Sequence, residues 1–94
     1  ISVEHFELYK EKLNIYPNPA GGFTRISFEN PERQFLTLDI TDMFGRNVNS
    51  LKSGTLDAGK YTIDWNTSSV QSGLYFCRLT LGNEPYIKRI IISK

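Results

Sequence analysis

The sequence is short of the features by which many proteins declare a chemistry. Cys77 is its one cysteine, so no disulfide can close within the chain, and packing and hydrogen bonds must hold the fold. It has one histidine, His5, and the pair His5 and Cys77 cannot supply a zinc site. The carboxylates Asp39, Asp42, Asp57 and Asp64 lack the dense, regular spacing of oxygen ligands that a calcium loop needs. No metal or other cofactor is expected. No nucleophile, base, metal cluster and phosphate loop can be assembled into a catalytic set, so the domain reads as something other than an enzyme. Its longest wholly aliphatic run, Ile90-Ile91-Ile92, falls far short of the roughly 20 residues of a membrane helix. No h-region of a signal peptide is visible. Excess charge of one sign is missing too: 11 Lys and Arg stand against 10 Asp and Glu, which gives no basic face for nucleic acid.

What is present points to strands. The 94 residues suffice for one core, and a chain of this size buries about two-thirds of its unfolded surface. The 13% aromatic share, with frequent Val, Ile and Thr, favours β structure. The chain opens on Ile1 instead of Met, which reads as a piece cut from a longer protein whose targeting signal lay upstream.

Residues 1–12 fit neither period: Phe6, Tyr9 and Leu13 share a helical face, while Phe6 and Leu8 alternate as a strand would. The segment is expected to be a linker or accessory strand. Leu13 to Tyr16 forms a short strand stopped by Pro17, and Asn18-Pro19-Ala20-Gly21-Gly22 is a loop. From Phe23 to Glu29, Ile26 and Phe28 alternate with Arg25, Ser27 and Glu29; after a turn at Asn30-Pro31-Glu32, Leu36, Leu38 and Ile40 point inward. Asp42-Met43-Phe44-Gly45 is a tight turn, with Asp at its first position and Gly45 supplying positive φ. Arg46 to Lys52 is its hairpin partner, and Ser53 to Gly59 is expected as a connection.

Lys60 to Asn66 directs Tyr61, Ile63 and Trp65 inward, with Trp65 as the core anchor. Gly73 to Leu81 then does the same with Tyr75, Cys77, Leu79 and Leu81. Gly82-Asn83 turns into a last run, Tyr86 to Ser93, with Pro85 at its start. Seven strands, with turn signals about every 8 to 14 residues, predict an all-β, seven-stranded antiparallel sandwich of the Ig-like kind.

Five of these marks recur in order: Tyr16-Pro17-Asn18-Pro19, Asp42-Met43-Phe44-Gly45-Arg46, Gly59-Lys60-Tyr61, Ser72-Gly73-Leu74-Tyr75, and the closing Lys88-Arg89-Ile90-Ile91-Ile92-Ser93-Lys94. Each alone is weak, but the series, at this spacing and flush with the end of the chain, resembles the type A C-terminal sorting domain of the type IX (Por) secretion system. The likeness spans about residues 13–94. It implies an Ig-like sandwich carried behind a cargo protein in Bacteroidetes-type bacteria and recognised by the outer-membrane secretion machinery. The cargo would cross the inner membrane on an ordinary signal peptide, pass through the periplasm, and reach the outer membrane, the cell surface or the medium. A surface cysteine peptidase would remove the domain by a cut upstream of Leu13, within or before residues 1–12, and the cargo could be joined to an anionic lipopolysaccharide. The resemblance maps the recognised stretch onto Lys88–Lys94 and onto Gly45 and Gly73. Cys77 stands where an aliphatic residue is expected.

Each candidate has a structural explanation beside the functional one. A terminal strand can offer a sheet edge to a receptor, with Lys88, Arg89 and Lys94 adding charge selectivity. The same cations equally serve as gatekeepers against edge-to-edge pairing, and an edge strand leaves a dimer open. Pro17 and Pro19 around Asn18 stiffen a turn. Gly45 and Gly73 have sufficient cause in backbone geometry. Cys77, mid-strand and inward, is a small hydrophobe and not a thiol paired with His5. Asn66-Thr67-Ser68 matches a glycosylation acceptor and is given no role. The rival function is a carbohydrate- or protein-binding module of an extracellular enzyme. It would need a coplanar aromatic platform drawn from Phe23, Phe35, Phe44, Phe76 and Tyr86.

Overall fold

The alternation of apolar and polar residues is realised as strands throughout a computed structural model that describes residues 12–94. The linker or accessory strand expected over residues 1–12 therefore lies, apart from Lys12, outside the described residues. The strands are β1 (Leu13–Tyr16), β2 (Phe23–Asn30), β3 (Gln34–Asp42), β4 (Asn47–Leu56), β5 (Gly59–Asn66), β6 (Gly73–Leu81) and β7 (Glu84–Ile92). They form a three-stranded sheet in the order β1-β2-β5 and a four-stranded sheet in the order β4-β3-β6-β7, with every neighbouring pair antiparallel. This is the predicted two-sheet sandwich.

The core lies between the sheets. Leu36, Leu38 and Ile40 of β3, Cys77 and Leu79 of β6, and Ile90 of β7 are fully buried, facing Leu13, Ile26, Phe28 and Trp65 of the other sheet. A buried aliphatic or aromatic side chain contributes roughly 1.5–3 kcal/mol over its exposed state, so a core of this kind holds the sandwich without a covalent staple.

Two poles follow from the register. Leu13 opposes Phe28 and Asn30 opposes Gly59, so the chain enters β1 at the pole where β2 crosses to β3. Ile92 opposes Gly73 and Asp42 opposes Tyr75, so β7 ends at the other pole, beside the Asp42 turn. Asn30 ties the entry pole. Its buried Nδ2 donates to the carbonyls of Leu56 and Asp57 at 3.1 Å each, and its Oδ1 accepts from Gln34 at 2.9 Å. A buried amide is tolerable only when satisfied in this way.

One element departs from expectation. Residues 53–56, read as a connection, belong to β4, which runs on to Leu56 before Gly59 opens β5. The β3–β4 register shifts twice, between Leu38 and Asp39 and between Ile40 and Thr41. Each bulge flips the phase of β4 side chains, and β4 is an outer strand with most residues exposed, so its sequence shows no alternation.

Candidate recognition surface

β7 lies at an edge of the four-stranded sheet, so half of its backbone groups point away from β6. Over its last residues these groups are already taken. Asn18 Nδ2 donates to the Arg89 carbonyl at 2.9 Å, and Asn18 Oδ1 accepts the Ile91 N–H at 3.0 Å. Ala20 N–H then donates to the Ile91 carbonyl and Ser93 N–H to the Ala20 carbonyl, both at 2.8 Å, which makes a short parallel bridge between Ala20 and Ile92. The Pro17–Gly22 loop is a latch over the edge, and Asn18 stands in for one peptide unit of an eighth strand.

The latch is itself anchored. The buried Thr24 hydroxyl donates to the Pro17 carbonyl at 2.7 Å; the buried Thr67 hydroxyl donates to the Gly21 carbonyl, and Thr67 N–H donates to the Gly22 carbonyl at 2.9 Å. Ala20 is buried against the core, while Tyr16 is exposed. Sequence reasoning assigned this loop a stiff turn and missed the latch. An Asn between two prolines reads locally as a turn, and its partners lie more than 70 residues away, so no local signal announced the latch.

Of the closing stretch, Ile90 and Ile92 are core residues, whereas Arg89, Ile91, Ser93 and Lys94 are exposed and Lys88 is half-buried. Lys94 Nζ donates to the Ser68 carbonyl at 2.8 Å and Lys94 N–H to Ser72 Oγ at 3.2 Å. The backbone near the end of β7 is thus engaged internally, and what it offers outward is side chains.

The Asp42 turn closes as its residues dictate. Asp42 Oδ1 accepts the N–H groups of Phe44 and Arg46 at 2.8 and 3.0 Å, Gly45 N–H donates to the Asp42 carbonyl at 3.0 Å, and Gly45 has φ +82°. Arg46 Nε donates to Asp42 Oδ2 at 2.9 Å and the guanidinium lies over the Phe44 ring, 5.3 Å from its centroid. Burial acts to raise the Asp42 carboxyl, but the Arg46 and Phe44 N–H groups and the Arg46 guanidinium outweigh it and hold it below the usual carboxylate value.

Gly59-Lys60-Tyr61 and Gly73-Leu74-Tyr75 share one geometry. Tyr61 donates to the Asp57 carbonyl at 2.6 Å and Tyr75 to the Gln71 carbonyl at 2.7 Å, each reaching four residues back. The intervening glycines have φ +152° and +156°, a region that side chains disfavour, and this lets each chain turn from its loop into its strand beneath the tyrosine. The two motifs are corner ties at opposite poles.

Above Trp65 lies a groove of about 530 Å³ whose walls include Phe44, Val48, Val70 and Tyr75. Trp65 is 2% exposed, sits edge-on to Tyr75 with centroids 6.1 Å apart, and its indole N–H has no partner among the described residues.

The remaining candidates are structural. Cys77 is fully buried; burial first, then the Asp39 charge, pushes its thiol up to about 12, which makes it an inert hydrophobe. Arg25 pairs with Asp64 through two bonds of 2.7 and 3.2 Å, lowering the Asp64 carboxyl and raising the guanidinium, but both side chains are more than half exposed and the pair contributes little. Asp57 pairs with Arg33. Among the described residues no group of three His, Cys, Asp or Glu converges on a metal position. The five aromatics of the rival platform do not share a face. Phe23 lies on the three-stranded sheet, Phe35 and Phe76 on the other sheet, Phe44 in a turn, and Tyr86, expected outward, packs against the core.

The sequence model of one family, described as the secretion system C-terminal sorting domain, matches residues 14–93. No curated protein matches the chain.

Proposed function

The chain belongs to the secretion system C-terminal sorting domain family, and we propose that the machinery it addresses reads its final stretch, Lys88–Lys94, through side chains and not through the sheet edge. Family membership makes it a type IX sorting signal and implies a cargo in the same precursor, a secretion machinery that receives it, and an outer-membrane, cell-surface or secreted destination. The family sorts and does not catalyse. In support of the side-chain reading, Asn18 and Ala20 occupy backbone groups of Arg89, Ile91 and Ser93, while the Arg89, Ile91, Ser93 and Lys94 side chains remain exposed.

The rest of the route belongs to the same proposal. The precursor travels through the periplasm, a surface cysteine peptidase removes the domain by a cut upstream of Leu13, and the released cargo is anchored on an anionic lipopolysaccharide or set free. A cut there would leave all seven strands intact. The domain carries no chemistry of its own, a reading favoured by its buried, weakly acidic thiol. A dimer joined along β7 would have to form before Arg89, where Pro85 has no N–H to contribute.

The test fuses residues 13–94 to a periplasmic reporter in a type IX host. Surface delivery is expected. Deleting Lys88–Lys94 would remove Ile90 and Ile92 from the core, so the informative variants replace only Arg89, Ile91 and Lys94 by Ser. Folded fusions with these changes should stay in the periplasm. Delivery at the unaltered level would count against the reading, and retention of the unaltered fusion would count against the sorting role of the isolated domain.

A further inference from the structure

The outer face of the four-stranded sheet is divided. Its β3–β4 half carries Thr37, Asp39 and Thr41 opposite Ser53, Ser50 and Asn47, a polar solvent face apart from Phe35 at the entry pole. Its β6–β7 half pairs Leu74 with Ile91, Phe76 with Arg89, and Arg78 with Ile87. Ile87 is 61% exposed and Ile91 41%, with Leu74 and Phe76 half-buried beside them. An antiparallel sheet with one wet face ordinarily places polar residues there. The first three outward pairs of this half place four apolar residues and two arginines, and only the fourth, Thr80 with Pro85, adds a hydroxyl.

We propose that the outward face of β6–β7 is a docking surface for a protein partner whose own surface sets carboxylates around an apolar centre. The proposal rests on the side-chain reading of the final strand and extends it to Phe76, Arg78 and Ile87, outside Lys88–Lys94. Charge complementarity selects the partner. Arg78 and Arg89 form no ion pair among the described residues; Asp39, the cross-strand neighbour of Arg78, is the nearby acid on the sheet and forms no bridge with it. Both cations are Arg, whose planar fork takes carboxylates bidentately and is more weakly hydrated than an ammonium group, so it can be buried in an interface. Arg with aromatic and apolar neighbours is also the composition of an interface centre. Gatekeeping does not account for the pattern. Arg78 is on β6, paired on both sides by β3 and β7, where there is no edge to protect, and Ile87 is what edge protection would exclude.

The test uses the reporter fusion in the type IX host, together with the isolated domain on outer-membrane fragments from that host. Arg78→Glu and Ile87→Ser should each reduce surface delivery, and reduce binding to the fragments about tenfold or more, with Arg78→Lys, which keeps the charge and loses the bidentate fork, falling between the parent and Arg78→Glu, and Ser53→Glu on the polar half unchanged. Binding should weaken with salt and vanish after protease treatment of the fragments. Undiminished binding to protease-treated fragments, or to vesicles of lipid extracted from the same membrane, would identify a membrane surface and overturn the proposal. If Arg78→Glu and Ile87→Ser are delivered normally while the Arg89, Ile91 and Lys94 changes block delivery, the face is wrong and the final-strand reading stands. If both sets are delivered normally, both fall.

Discussion

Asn18 meets Ile91 as the peptide group of a neighbouring strand would: its Oδ1 accepts the Ile91 N–H at 3.0 Å, and its Nδ2 reaches the Arg89 carbonyl at 2.9 Å. A side chain thereby closes an edge that would otherwise invite pairing. Asn18→Ala should cost about 1–3 kcal/mol for two hydrogen bonds, read by chemical denaturation, and should speed exchange of the Ile91 amide. Asn18→Asp keeps the acceptor but sets a carboxylate against the Arg89 carbonyl. It should be more damaging, relative to the parent, at pH 7 than at pH 3, where the protonated acid can donate. Equal damage at both would exclude the amide-mimic account.

The two corner tyrosines should behave as independent ties. Tyr61→Phe and Tyr75→Phe each remove one hydroxyl bond to a backbone carbonyl and should cost about 0.5–1.5 kcal/mol. Because the ties sit at opposite poles and share no partner, the double variant should equal the sum within about 0.5 kcal/mol. A larger discrepancy in equilibrium unfolding would mean that the poles are coupled through the core.

Trp65 offers a test of an orphaned donor. Its indole N–H is buried without a partner among the described residues, so Trp65→Phe removes volume and no hydrogen bond among them. The Phe variant should stay within about 2 kcal/mol of the parent, against about 3–5 kcal/mol for Trp65→Ala. A Phe variant as unstable as the Ala variant would show that the N–H is satisfied by a bound water in the groove.

The parts of this molecule legible in sequence are those where one face is buried. Leu36, Leu38 and Ile40, and again Cys77 and Leu79, alternate because water lies on one side and core on the other. The turn at Asp42 was legible because its chemistry is local: one carboxylate and a positive-φ glycine within four residues. The end of β4 was not, since two bulges in the β3–β4 pairing and an exposed outer strand erase the period. The Asn18 latch was hidden for another reason. Its partners are 71 and 73 residues away, and nothing local in a Pro-Asn-Pro turn says that its amide will meet a strand edge. The β6–β7 face lay in view as Ile87 and Ile91 at outward positions, but an apolar closing run suggests core until register separates Ile90 and Ile92 from Ile91.

Asp42 should titrate below the ordinary carboxylate value, because the bonds it accepts from Arg46 and Phe44 outweigh its burial. Its folded value is depressed, so its contribution to stability is fully present above the unfolded value of 3.8 and is lost as pH falls through the folded value. NMR titration of the Asp42 carboxyl carbon checks this directly, and Arg46→Ala should move the midpoint upward. A midpoint in Arg46→Ala equal to the parent's would show that the backbone N–H groups alone hold it down.

Cys77 links the core to pH in the opposite direction. Its thiol is pushed up to about 12 from an ordinary 9.0, chiefly because burial penalises the thiolate. The folded state therefore keeps its proton where the unfolded state gives it up, and the contribution of Cys77 to stability is complete below 9 and falls as pH rises toward 12. Cys77→Ala should abolish that share of the alkaline decline, at a cost in packing at all pH values. For the same reason the native thiol should resist alkylating reagents at pH 8 and react only as fast as the domain opens, with stoichiometric labelling in denaturant. Rapid labelling of the folded protein would mean that the β6 core face is open to water, which the full burial of Cys77 between β3 and β7 forbids.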